Sequence, residues 1–428
     1  MAMAPTRRDF VRQVTGGIIG TWALTAIPET SLARYIIAND QSVAGDDETF
    51  WQVVRDQFPL THDRVYLNNG SLGPSPYVVL EAVKKAMTDI DISGEYGGWE
   101  AARPRLAKFV NVHESEISLT HNVTEGINVV ASGLPLKRGD EVILTTHEHA
   151  GNALPWLNRA RRDGIVIKTL KPAMTAAENL NRLDDLITRR TRAIAIPHIN
   201  CTVGQVFPGK EISRLGHDKG LFVFLDGAHG PGMLNLDLRD TNPDFYATCC
   251  HKWMCGPKGT GFLFVRKDMI GICDPVWVGG GMSTGWDMTT EPPRLEPLDP
   301  TAHRYDFGTQ NASIYIGLGA AIDFIYHVGM DNIIRRAKGL AGYLQSELLK
   351  LGDKVEMLTP TEEQSRGFVT SFRLKNMAFD KFNEYISGKG FRIRVVPESH
   401  LNCIRISTHL YNNYDEVNRF LDEVRKVA

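Results

Sequence analysis

The chain has 428 residues, 43% hydrophobic and 23% charged, with a net charge of −2. That is a globular composition with room for two cores, and its near-neutral balance excludes a nucleic-acid or membrane-surface protein built on bulk charge. Six cysteines are few for this length; Cys249, Cys250 and Cys255 cluster around His251, but their spacing fits no common zinc pattern, so no metal is expected.

Residues 1–33 read as an export signal. Thr6-Arg7-Arg8-Asp9-Phe10-Val11 is a twin-arginine pattern, a weakly apolar stretch follows at 14–27, and Ser31-Leu32-Ala33 offers a small-residue cleavage site. The expected location is the bacterial periplasm. An N-terminal helical segment is expected within 34–60, on the spacing of Phe50, Val53, Val54 and Phe58 before Pro59. Val65-Tyr66-Leu67 begins a short strand that runs into Asn68-Asn69-Gly70-Ser71, a loop signal.

From 116 to 265 strand-like runs alternate with helix-like stretches, the pattern of a mainly parallel sheet. The run at 116–120 feeds a polar turn and a helix beginning near Val123 and Thr124, and a helix N-terminus holds phosphate well. The strand at 141–145 leads to Thr146-His147-Glu148-His149, and the strand at 193–197 to Asn200-Cys201-Thr202. The apolar run at 221–225 ends on Asp226, followed by Gly227, Ala228 and His229. Then come Cys249-Cys250-His251-Lys252-Trp253, a glycine-rich turn and a strand at 262–265. An irregular stretch at 274–310 precedes a long helical run at 313–351. The last hundred residues read as a small α+β unit, with strands at 368–374, 392–396 and 403–407 and helices at 379–388 and 415–427.

Ligands bind beyond the carboxyl ends of strands in open α/β sheets, so Asp226 is well placed for chemistry. An acid at a strand end with a lysine downstream suits pyridoxal phosphate. That cofactor takes a lysine amine as a Schiff base and a carboxylate against its ring nitrogen.

On these residues the chain resembles fold-type I pyridoxal phosphate enzymes of aminotransferase class V, from about Tyr66 to the C-terminus. Asp226-Gly227-Ala228-His229 followed by His251-Lys252-Trp253 most resembles the isopenicillin N epimerase-like branch. The resemblance implies an α/β fold with a mainly parallel, seven-stranded-type sheet in a large domain (61–312). A linking helix and a small α+β domain (313–428) would follow. It implies Lys252, Asp226 and His149 as catalytic residues, His149 stacking on the cofactor ring with His147 as its neighbouring alternative. Val123 and Thr124 would hold the phosphate. Asn200, with Cys201 or Thr202 sharing the role, would meet the cofactor hydroxyl, and His229, Cys249 and His251 would complete the cofactor pocket. Asn69 and Arg405 would bind substrate, Arg405 forking onto its α-carboxylate, with Arg394 as a second candidate. Thr309 would reach the phosphate of a partner subunit, making a homodimer with shared sites.

The implied chemistry lies at the α-carbon of an amino acid or an amino-acid-containing natural product, by epimerisation or transamination. For an exported member, tailoring of secreted peptides such as siderophores would fit. The alternative is a β-eliminating carbon–sulfur lyase. A periplasmic binding protein without catalysis is the alternative of another class, and it would have no need of Lys252, Asp226 and Arg405 together. Desulfurases of this family carry a nucleophilic cysteine in a C-terminal loop; here the loop at 395–400 has none, and Cys403 lies in a predicted strand beside Arg405.

Overall fold

The computed structural model describes residues 47–428; the twin-arginine pattern and the first part of the 34–60 segment lie outside them. Helix α1 (Glu48–Arg55) starts at Asp47, whose side chain accepts from the Thr49 amide at 2.9 Å. It buries Phe50, Trp51, Val53 and Val54, and Glu48 pairs with Arg336.

The centre is a seven-stranded sheet of β1 (Ile117–Thr120), β2 (Glu141–Thr145), β3 (Val166–Leu170), β4 (Thr191–Pro197), β5 (Phe222–Asp226), β6 (Phe245–Cys249) and β7 (Gly261–Val265). The spatial order is β1-β7-β6-β5-β4-β2-β3, and β7 alone runs antiparallel to its neighbours. The inner strands β2, β5 and β7 are apolar on both faces because both faces are covered. In β5, Val223 and Leu225 join one core and Phe224 the other, which is the two-residue period of a strand buried twice. Six parallel strands therefore bring the carboxyl ends of β1, β2, β4, β5 and β6 to the same edge. From the sequence β3 and β6 are not apparent as strands, since Tyr-Ala-Thr-Cys and Ile-Lys-Thr lack a continuous apolar run.

A second sheet, β8 (Val355–Met357), β9 (Val369–Leu374), β10 (Arg394–Val396) and β11 (Cys403–Ser407), is antiparallel in the order β8-β9-β11-β10. Its core holds Phe372, Ile404, Ile406 and Phe420. Val65 and Leu67 pack into that same core, Val65 pairs with Phe391, and Asn68 bridges Ser407. The 65–70 segment thus lies against β11.

The long helical run is two helices, Ala312–Val328 and Met330–Leu349, bent by 78° at Gly329. Gly329 has φ +88°, a conformation a continuous helix cannot hold. No single helix among the described residues is long and apolar enough to cross a membrane. In the 274–310 stretch a short hairpin pairs Trp286 with Leu295. Buried Asp306 then ties the chain to β1, accepting from Ser118 Oγ and the Leu119 amide at 2.7 and 2.9 Å and from Arg103 at 2.7 Å.

Candidate active site

The strand ends assemble one site. Asp226 closes β5, is buried, and accepts from the Ala228 amide at 2.9 Å. Burial raises its pKa, opposed by that hydrogen bond and by the Lys252 charge. Lys252 follows β6; it is 9% exposed, and its Nζ lies 3.1 Å from His229 Nε2. The other ring nitrogen of His229 accepts from Trp253 Nε1 at 3.1 Å.

After β1, the helix Val123–Gly133 is capped by Asn122, whose Oδ1 accepts from the Glu125 amide at 3.1 Å. That cap leaves the Val123 and Thr124 amides for an anion. After β2, His149 caps the helix Ala150–Asp163 through Nδ1, which accepts from the Gly151 amide at 3.0 Å. The two helix starts touch: a Cβ on Gly151 would lie 2.7 Å from Thr124 Oγ1 and 3.0 Å from His149 Nδ1, so a side chain there would have to push the Thr124 hydroxyl aside. His149 is exposed on one side, yet the partial burial of its ring, then the charges of Lys252 and Arg394, pull its pKa down to about 4. Its ring is neutral at neutral pH. His147 also falls to about 4, through burial and the charge of Lys171. Between them Glu148 is half-buried and pushed up to about 8, by desolvation first, with the Asp226 charge adding to it.

Asn200 follows β4. Its Oδ1 accepts from the amides of Val203 and Gln205 and from the Thr202 hydroxyl, at 3.0, 3.3 and 3.3 Å. Its Nδ2 is buried with no partner, a free donor of the kind a bound cofactor hydroxyl satisfies. Thr202 spends its hydroxyl on Asn200, and the Cys201 carbonyl accepts from Arg405, so Asn200 keeps the open donor of the three.

Arg405, on β11, is 1% exposed and has no carboxylate partner among the described residues. Nη1 donates to the Cys201 carbonyl at 2.7 Å, Nη2 to Ser71 Oγ at 2.7 Å and Asn68 Oδ1 at 3.2 Å, and Nε is unpartnered. Burial, then the charge of Arg394 opposite it in the sheet, pulls its pKa down to about 9. A buried, unbalanced guanidinium is a site for an anion. Arg394 is already paired with Glu398, so of the two arginines Arg405 is the one with its charge unpaired. Asn69 is buried with Oδ1 accepting from Tyr411, and it is Asn68 that reaches Arg405. A Cβ on Gly70 would lie 2.8 Å from Ser407 Oγ and 3.3 Å from both Arg405 Nη2 and His229 Cε1; Ser407 Oγ is itself unpartnered. Asn68 and Ser71 lie in the loop signal after the Val65 strand, but nothing in the sequence picks out their side chains, or that of Ser407, from their neighbours.

Cys249 is buried with Sγ 3.7 Å from the Ala228 carbonyl, in reach of the Asp226 and Lys252 charges. His251 has a buried, unpartnered Nδ1, and burial brings its pKa to about 4. Thr309 stands apart: it is exposed and lines a 520 Å³ surface cavity with Tyr96 and Asn311. No cluster of three His, Cys, Asp or Glu side chains suited to a metal occurs among the described residues.

The residues fit pyridoxal phosphate at each point where the structure leaves something open: the buried strand-end carboxylate, the Asn200 donor and the paired helix starts beside Lys252. This sheet, with its site at the strand ends, is that of a fold-type I pyridoxal phosphate enzyme, and the chain is an enzyme of that class. It belongs to aminotransferase class V, whose family description matches residues 94–420.

Similar curated proteins are mostly cysteine desulfurases. A probable cysteine desulfurase of Methanothermobacter thermautotrophicus is 29% identical over 398 residues, covering 88% of this chain and 97% of that protein. The isopenicillin N epimerase of Amycolatopsis lactamdurans is also 29% identical over 398 residues, covering 89% and 99%. The epimerase-like branch expected from the motifs is thus one relative among desulfurases. Among solved structures, the cystine C–S lyase C-DES in complex with its product cysteine persulfide superposes with a TM-score of 0.79 at 26% identity, over 87% of this chain and all of that one.

Proposed function

We propose that the protein is a pyridoxal phosphate-dependent carbon–sulfur lyase that expels a β-sulfur substituent from a free amino acid without passing it to an enzyme thiol. The observation that carries this is the state of the cysteines. All six are unpaired and buried. Burial pushes the Cys403 thiol up to about 12 and raises Cys201 as well. Neither is an exposed, activated thiolate of the kind persulfide transfer needs. The desulfurase relatives and the cystine lyase fold neighbour support sulfur chemistry; the buried thiols support release over transfer.

When bound, the cofactor supplies an electron sink for charge at the substrate α-carbon. On this reading Lys252 holds it and moves the α-proton, and Asp226 keeps the ring nitrogen charged. The neutral His149 ring limits tilt from one face. Asn200 Nδ2 donates to the ring hydroxyl, with His229, Cys249 and His251 around it. The amides of Val123 and Thr124 hold the phosphate. Arg405 takes the substrate α-carboxylate, with Asn69 and Arg394 at the margin. The balance is an S-substituted cysteine plus water giving pyruvate, ammonium and a thiol.

A second reading has one observation in its favour, the 29% identity over nearly all of the isopenicillin N epimerase. The same α-proton removal without a leaving group gives epimerisation or transamination, and the substrate is then the amino-acid part of a larger molecule. Incubation of the holoenzyme with L-cystine and S-substituted cysteines in deuterated water separates the two. Pyruvate with released thiol or persulfide supports the lyase; an α-deuterated or inverted amino acid without pyruvate supports the second reading. Cys403→Ser and Cys201→Ser are expected within about twofold of wild type, and a loss beyond about tenfold in either overturns the thiol-free account.

The same proposal takes Thr309 across to the phosphate of a second copy, since it is exposed and lines a surface cavity that holds none of the residues grouped around Lys252. Thr309→Val is expected to weaken cofactor retention by about 1–3 kcal/mol, as for a lost charge-assisted hydrogen bond. A holoenzyme that sediments as a monomer at micromolar concentration contradicts the shared site. Export to the periplasm through the Arg7-Arg8 signal completes the proposal.

A further inference from the structure

We propose that Trp253 is a positioning residue that sets the tautomer of His229, so that the histidine presents an N–H, and not a lone pair, to Lys252. The inference rests on Lys252 as the cofactor-bearing lysine. Its premises are hydrogen-bond inventory and geometry. An indole nitrogen is a donor only. Trp253 Nε1 lies 3.1 Å from His229 Nδ1, so Nδ1 is the acceptor and carries the lone pair. A neutral imidazole then has its single proton on Nε2.

Two observations make that assignment firm. His229 is singly protonated, because burial first and then the surrounding groups Lys252, Arg405, His149 and Arg394 hold its pKa well below the ordinary value. Asp226, three residues before it, closes the strand that leads to it. The indole is also fixed: Trp253 is 1% exposed, edge-on to Phe368 at 5.7 Å and tilted by 31° over His409 at 5.4 Å.

The consequence falls on Lys252. Its nitrogen lies 3.1 Å from Nε2 and so meets an N–H, a contact that is a hydrogen bond only when the amine offers its lone pair. That is the form in which an amine attacks an aldehyde. His229 cannot serve as a base toward Lys252 while Trp253 occupies Nδ1. The residue after the lysine thus acts on the lysine through the histidine, a role that its place in a buried aromatic stack conceals.

The test uses the apoprotein and does not depend on turnover. With histidine labelled in ¹⁵N, long-range proton–nitrogen correlation is expected to show His229 as the Nε2–H tautomer in wild type and as a mixture in Trp253→Phe, which keeps the ring and removes the N–H. Capture of pyridoxal phosphate by the apoprotein, followed by absorbance across pH, is expected to slow about threefold to tenfold at neutral pH in Trp253→Phe, the range covered by one lost hydrogen bond. His229→Gln supplies an amide N–H that has no tautomer, so adding Trp253→Phe to it is expected to change capture by less than about twofold. An Nδ1–H tautomer in wild type overturns the inference. So does wild-type capture by Trp253→Phe, or an equal loss in the His229→Gln background, which would make Trp253 a packing residue. Failure of wild type itself to capture the cofactor on Lys252 strikes the functional reading instead, while the tautomer signal still decides the inference.

Discussion

Lys252→Ala is expected to leave a folded protein with no turnover and no covalently held cofactor. The side chain is nearly buried, but its recorded hydrogen bond is the one to His229. The packing of the segment is carried by its neighbours Cys250 and Trp253, both buried in apolar clusters. Losing the amine leaves His229 Nε2 without that partner, a cost of about 1–3 kcal/mol against a typical domain stability of about 5–15 kcal/mol. The chemical loss is larger. Proton transfer by a positioned base alone contributes about 10²–10⁴-fold, and the variant also loses the covalent anchor. Circular dichroism and thermal melting check the fold, and product assays check the loss. Wild-type turnover in this variant removes Lys252 from the chemistry.

Asp226→Asn tests the other end of the cofactor site. The substitution keeps the shape and an oxygen for the Ala228 amide, so the local turn should persist. It removes the negative charge. Breaking a buried charge pair costs about 3–5 kcal/mol, which is about two to four orders of magnitude in rate. The sheet makes the substitution clean, because Asp226 is the last residue of a strand paired on both sides, by β4 through Pro197 and by β6 through Ala247. The expected result is a variant that still takes up cofactor but removes the substrate α-proton at a rate lower by that factor, measured as deuterium exchange in heavy water. A rate within about twofold of wild type takes Asp226 out of the role.

The parts of the site that were legible in the sequence lie within a few residues of a strand end. Asp226, Thr124, His149 and Asn200 each end or follow a run whose apolar character announces a strand, and the rule that ligands sit at carboxyl ends does the rest; Lys252 stands out by its His251-Lys252-Trp253 setting instead. His147 and His149 differ in the charges that act on them, Lys171 on one and Lys252 and Arg394 on the other, a difference that two residues so close in sequence do not show. The substrate side was less legible. Asn68 and Arg405 are 337 residues apart and meet because the 65–70 segment lies along β11. Such a contact has no period and no local composition. The two arginines were separable only by their partners, since Glu398 engages Arg394 and leaves Arg405 unpaired. The helical run at 313–351 read as one element because a helix pattern tolerates a glycine, and only the φ of Gly329 shows where it bends.

The central claim is that Lys252 carries pyridoxal phosphate at the edge of this sheet. Borohydride reduction of the purified holoenzyme, followed by peptide mapping with mass spectrometry, tests it most directly. The account predicts a single phosphopyridoxyl adduct, on the peptide containing His251-Lys252-Trp253. An adduct on another lysine with Lys252 unmodified, or no adduct on a protein that is fully active, would contradict it.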